Sequence, residues 1–125
     1  MNQRNIFSII GAVLVLQGIF FYFMADYVVS DAFTGLDETG KYAPVILMQV
    51  MAVMSVALGV IAYASRNTPE VLGAFFLGFT LFLLISLKHL FIDHINVPIP
   101  AVAIQAGIVI ACGYLRMQSG KVKAA

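Results

Sequence analysis

Few side chains in this chain are chemically able, and several of them crowd one short stretch, Lys88-His89-Leu90-Phe91-Ile92-Asp93-His94. On a helix, Ser86, His89 and Asp93 share one face at steps of three and four, with Lys88 adjacent. His89 and Asp93, one turn apart, could hold a metal together, but a third strong ligand is missing and no metal site is expected. A His–Asp hydrogen bond is the simpler reading, and Lys88 is expected to reach its ammonium toward the headgroups. Asp37 and Glu38 are neighbours in a polar stretch, where carboxylates are ordinarily solvated. Cys112 is the single cysteine, so neither an intrachain disulfide nor a CxxC redox pair can form. It lies deep in an apolar run and reads as a small packing residue rather than a reactive thiol. No catalytic residue and no cofactor is assigned.

The remaining polar candidates are carboxamides. Gln17, Gln49 and Gln105 each interrupt a different long apolar run. Those runs are the elements that must position everything else: about 6–25, 44–64, 71–90 and 97–115. A bilayer core is roughly 30 Å thick and takes about 20 helical residues to cross. With no water there to satisfy backbone amides, each run should be an α-helix. The sequence is 62% hydrophobic and only 10% charged, outside the range of ordinary soluble domains. It therefore predicts an all-α polytopic membrane protein, a single domain over 1–125 built as an up-down-up-down bundle of four transmembrane helices. The first run is read as a retained span, because its apolar length exceeds the about 7–15 residues of a signal peptide.

Charge sets the expected orientation. Arg4, Arg66, Arg116, Lys121 and Lys123 fall at the termini and the middle turn with Glu70 as their sole acid. Asp26, Asp31, Asp37, Glu38 and Asp93 fall on the other side with Lys41 and Lys88. Basic residues stay cytoplasmic during insertion, so both termini are expected inside a cell (inner or plasma) membrane. The same residues are scattered, without the patch that nucleic acid would need.

The connections follow from local chemistry. The turn Ser65-Arg66-Asn67-Thr68-Pro69-Glu70 is short enough to make the second and third spans antiparallel neighbours. Thr68 is the expected N-cap, with Pro69 at the first helical position. Pro44 is expected to open the second span, and Val97-Pro98-Ile99-Pro100 the fourth. An outer loop, 26–43, carries Phe33, Leu36 and Tyr42, which should fold back on the bundle. Small residues mark faces that allow close helix approach: Gly11 and Gly18; Ala52, Ser55, Gly59 and Ala62; Ala74 and Gly78; Ala103, Gly107 and Ala111. Met48, Met51 and Met54 form an adaptable patch on the second span.

Placed in this topology, Gln17, Gln49 and Gln105 fall in the middle-to-outer part of their helices, near Ser86, Lys88, His89 and Asp93. Polar groups at similar depth on four helices should face one another or a wet cavity. The expected arrangement is a polar cluster in the outer half of the bundle. It serves either as interhelical hydrogen bonds, worth about 1 kcal/mol or less each, or as the lining of a small pocket.

Short four-span chains invite three comparisons. Small multidrug-resistance transporters are similar in length, but carry a membrane-embedded glutamate where this first span has Gln17, which cannot exchange a proton. Gly78-Phe79-Thr80-Leu81-Phe82 is similar to the Phe-rich third span of fluoride channels, whose second-span asparagine is missing here. Quinone-linked disulfide-forming enzymes require a cysteine pair, which is absent here. By layout alone the chain resembles small, largely uncharacterised four-helix proteins of bacterial inner membranes. The functional expectation is a non-catalytic accessory or scaffold subunit, packing on another membrane protein or on itself. The alternative is a binding protein or carrier for a lipid- or quinone-like molecule, its pocket lined by the glutamines and His89.

Overall fold

The computed structural model describes residues 2–124, the side chains of the last three excepted, so the side chain of Lys123 lies outside the described part. The described residues form five helices: α1 Gln3–Phe23, α2 Ala25–Ala32, α3 Glu38–Ala64, α4 Val71–Phe91 and α5 Ile99–Ala124. There is no strand among the described residues. α1, α3, α4 and the 99–121 part of α5 are each long and apolar enough to cross a membrane. The expected all-α, four-span bundle is the fold, and the chain is a multi-pass membrane protein.

Two tight antiparallel pairs make up this bundle. α1 and α3 approach most closely because glycine faces glycine. A Cβ on Gly11 would lie 2.8 Å from the Gly59 carbonyl oxygen, and one on Gly59 would lie 2.7 Å from that of Gly11. One turn along, the Ser55 hydroxyl donates to the Leu14 carbonyl at 3.0 Å. Gly18 meets Ala52 and Val56 in the same way. The small-residue stripes read on the first two spans thus form one seam. α4 and α5 form the second pair, with Gly113 against the Phe76 ring and Ser86 against Gln105.

The pairs join through large side chains. Phe7 of α1 and Phe75 of α4 have ring centroids 5.2 Å apart, and Phe75 stacks on Phe79 at 5.8 Å. Ile10, Leu14, Ala62, Ile108, Cys112 and Leu115 complete this core. Cys112 is fully buried there, as a small packing residue should be. Most of it lies in the half of the bundle that carries the chain termini, with Leu14 and Phe79 near the middle of their helices. The opposite half holds only a smaller cluster around Phe21, Ala52 and Ala101.

Several local expectations need correction. The short turn does make α3 and α4 antiparallel, but they are not a close pair: Met51, Met54 and Leu58 face Phe79 and Phe82, and such side chains hold backbones apart. The 26–43 stretch is mostly helical rather than a loop. α2 packs on α3 through buried Ala25 and Val29, while Phe33 and Tyr42 stay exposed. α3 begins at Glu38, ahead of Pro44, because the Asp37 carboxylate accepts from the Gly40 amide at 2.7 Å and caps the helix. Pro44 therefore lies inside α3, early enough that few intrahelical bonds are lost. The first turn of α4 is satisfied by the carbonyls of Thr68 and Pro69, not by the Thr68 side chain. Pro98 opens α5 as expected, its carbonyl accepting from Ala101 at 3.0 Å. Ala74, Ala103 and Gly107 face outward, and a Cβ on Gly78 or Gly107 would meet nothing within 4 Å.

Candidate functional site

The looser half of the bundle encloses space. A cavity of about 210 Å³ lies among α1, α3, α4 and α5, walled by Leu14, Phe21, Met48, Met51, Met54, Leu58, Phe79 and Phe82. All three methionines of the second-span patch line it. Met51, Met54 and Phe82 are also exposed, so the wall opens sideways through the α3–α4 gap, where a membrane would present acyl chains. A second, larger cleft of about 760 Å³ lies between α1–α2 and the start of α5. Gln17, Phe21 and Pro98 line both spaces and form the partition between them.

Polar groups in the smaller cavity are few. Ser55 lines it, but its hydroxyl is committed to the Leu14 carbonyl. Gln105 is fixed by Ser86, whose hydroxyl donates to Gln105 Oε1 at 2.9 Å. That bond leaves the Gln105 amide hydrogens to face other partners. Gln17 differs. Its Oε1 is buried and meets no donor among the described residues. Nearly all buried polar atoms in folded proteins are paired, and leaving one unpaired costs about 1–3 kcal/mol. A carboxamide at the junction of two cavities whose oxygen is shut off without a donor is the feature of this site that packing does not explain.

The other expected members lie elsewhere. Gln49 is half-buried one turn before Ala52 but lines neither cavity, so the three glutamines do not form one cluster. Lys88, His89 and Asp93 form a separate group at the end of α4. The Lys88 ammonium donates to Asp93 Oδ2 at 2.8 Å, and His89 Nδ1–H donates to the same oxygen at 2.6 Å. Lys88 thus turns to Asp93 rather than reaching outward alone. Lys88 first, then His89, holds the Asp93 carboxyl below its ordinary value of 3.8. His94 follows with a left-handed backbone (φ 53°), and the Ile95 amide closes the helix on the His89 carbonyl at 3.0 Å. These contacts shape the α4–α5 connection, which Asn96 ties to the Asp31 carbonyl of α2 at 3.3 Å. No group of three metal-ligating side chains occurs among the described residues.

Sequence reasoning missed the apolar walls. Phe21, Phe79, Phe82 and Pro98 are indistinguishable in sequence from lipid-facing or core residues, and only the three-methionine patch hinted at an adaptable surface.

The class these features define is a four-span helical membrane protein with a laterally open, mostly apolar cavity. Comparison with known proteins finds no matching family model, no matching curated protein and no matching solved structure.

Proposed function

We propose that this protein binds a small amphipathic, lipid-like molecule in the cavity beside Gln17. One observation carries the reading: the Gln17 carboxamide, its buried Oε1 without a protein partner, stands in a cavity wall made mostly of Met, Phe and Leu. Ligand sites are mostly apolar with a few placed polar groups that fix orientation. The opening between α3 and α4 supports entry from the bilayer rather than from water. Binding or carrying, not catalysis, is the activity proposed, since no general base lines the cavity among the described residues and the Ser55 hydroxyl there is committed to the Leu14 carbonyl. The setting proposed is a bacterial inner membrane with both termini cytoplasmic, which puts the cavity in the outer leaflet. The basic bias of Arg4, Arg66, Arg116 and Lys121 supports that orientation.

A second reading, a scaffold subunit packing on another membrane helix, is favoured by α5. Ala103 and Gly107 present a bare small-residue face there, as helix contacts in lipid require. Extraction in a lipid-preserving polymer followed by mass spectrometry separates the two. A small molecule retained by wild type and lost from Gln17→Leu supports the binding role. Stoichiometric retention of a second membrane protein, with no small molecule, supports the scaffold role and defeats the first.

A further inference from the structure

The free polar groups of the cavity wall are all of one kind. Resting on the binding role above, we infer that the ligand's polar end is an uncharged carbonyl oxygen, of an ester or a quinone, which accepts from the amide hydrogens of Gln17 and Gln105.

Three side chains in the wall carry conventional hydrogen-bonding groups: Gln17, Ser55 and Gln105. The Ser55 hydroxyl is committed to the Leu14 carbonyl. Gln105 Oε1 is taken by the Ser86 hydroxyl, which leaves its NH2 free. Gln17 reaches the same result differently. Its Oε1 is sealed off, whereas its NH2 keeps accessible surface and meets no acceptor among the described residues. The three methionine sulfurs accept only weakly. What the wall offers a ligand is therefore N–H, from α1 and from α5.

Donors without acceptors discriminate among head groups. A carbonyl oxygen has two lone pairs and no proton, so it can accept from either carboxamide and leaves no donor of its own unpaired. A hydroxyl can accept too, but its proton finds no strong acceptor in the wall, and a buried unpaired donor is costly. A phosphate or carboxylate would bring a full charge where no lysine, arginine or histidine lines the space, which is strongly unfavourable. Size agrees. The cavity's 210 Å³ falls below the roughly 300–1,000 Å³ usual for sites that enclose a whole small molecule. It suits a head group whose chain leaves by the opening beside Met51 and Phe82.

The test uses the full chain in nanodiscs of diether phospholipid, whose chain linkages carry no carbonyl. Two pairs of probes bear a diazirine beside the head: a long-chain methyl ester with the matching alkanol, and an alkylbenzoquinone with its hydroquinone. Cross-links are mapped by mass spectrometry. Labelling of the buried cavity residues Leu14 and Phe79 is normalised to exposed Leu77 and Leu84, which line neither space. The carbonyl member should label the cavity roughly tenfold more than its hydroxyl partner, the worth of one buried hydrogen bond. A preference in the ester pair assigns a lipid ester; a preference confined to the quinone pair assigns a quinone. In Gln17→Met the preference should fall, and in Gln17→Met combined with Gln105→Met it should vanish. Gln17→Met should fold, because that side chain bonds to no protein group among the described residues. Ser86, freed in the double variant, can turn to a backbone carbonyl of its own helix. A preference that survives both substitutions, equal labelling within both pairs, or a preference for the hydroxyl member overturns the carbonyl assignment while leaving a binding cavity. Labelling of Leu14 and Phe79 no higher than at Leu77 and Leu84 for every probe overturns the binding role itself.

Discussion

Gly11 of α1 and Gly59 of α3 stand so close that neither can carry a side-chain carbon without meeting the other's carbonyl oxygen below 3 Å, at 2.8 and 2.7 Å. This contact clamps the two helices and lets α4–α5 pack as a separate pair. The cavity in the half away from the chain termini is a consequence: one pair is joined tightly by glycine, while the pairs meet each other through bulky Phe and Met.

The clamp predicts an order of stabilities. Gly59→Leu should lower stability by about 3 kcal/mol, since overpacking a tight contact forces backbone movement. Half-buried Leu58→Ala should cost about 2 kcal/mol by leaving a void. Gly107→Leu should be near neutral, because nothing lies within 4 Å of its added carbon. Thermal melts in detergent check the ranking, and equal midpoints for wild type and Gly59→Leu would place the seam elsewhere.

The same contrast shows how much was legible in the sequence. Small residues at helical spacing state that a face permits close approach; they do not name what approaches. Gly11, Gly18, Ala52 and Gly59 found each other, whereas Ala103 and Gly107 have the same signature and face outward. Likewise, Pro44 carries a helix-start signal, but the Asp37 cap acts earlier and sets the boundary. Gln17 and Gln105 were recognisable as interruptions of apolar runs. That Gln49 lines neither cavity depends on the rotation of α3 in the bundle, which the glycine seam decides and no single glutamine reveals.

Removing the unpaired amide should stabilise the protein. Gln17→Leu is expected to raise stability by about 1 kcal/mol, because it deletes a buried acceptor that has no donor. Gln105→Leu should instead lower it. A double-mutant cycle with Ser86→Ala should give a coupling of about 0.6 kcal/mol, ordinary for a hydrogen bond between membrane helices. Chemical denaturation in mixed micelles measures both.

Orientation has a direct check in intact cells. With Cys112→Ala as background, a cysteine at Thr39 should react with an impermeant thiol reagent and one at Ser119 should not. Both positions are exposed, so access to the outer solvent alone decides the result. Labelling at Ser119 only would place the cavity in the inner leaflet.

The Lys88–Asp93–His89 group predicts an acid-sensitive helix end. Asp93 titrates below 3.8 in the folded protein, so its contribution is present above that value. It is lost as pH falls through the lowered folded value. Wild type should therefore be more stable than Asp93→Asn from neutral pH down to about pH 4, where an ordinary carboxylate titrates. The two should converge only in stronger acid. Melting midpoints across that range test the sign. A difference between wild type and Asp93→Asn that grows as the pH falls would mean that the carboxylate is not what Lys88 and His89 hold.

Whether the space beside Gln17 holds a ligand is decided by a structure of the protein extracted with its lipids and crystallised in a lipidic mesophase. Elongated density is expected between α3 and α4, ending at the Gln17 carboxamide. A cavity closed by Met51 and Phe82, with Gln17 bonded to a protein donor such as the Gln105 amide, would contradict it.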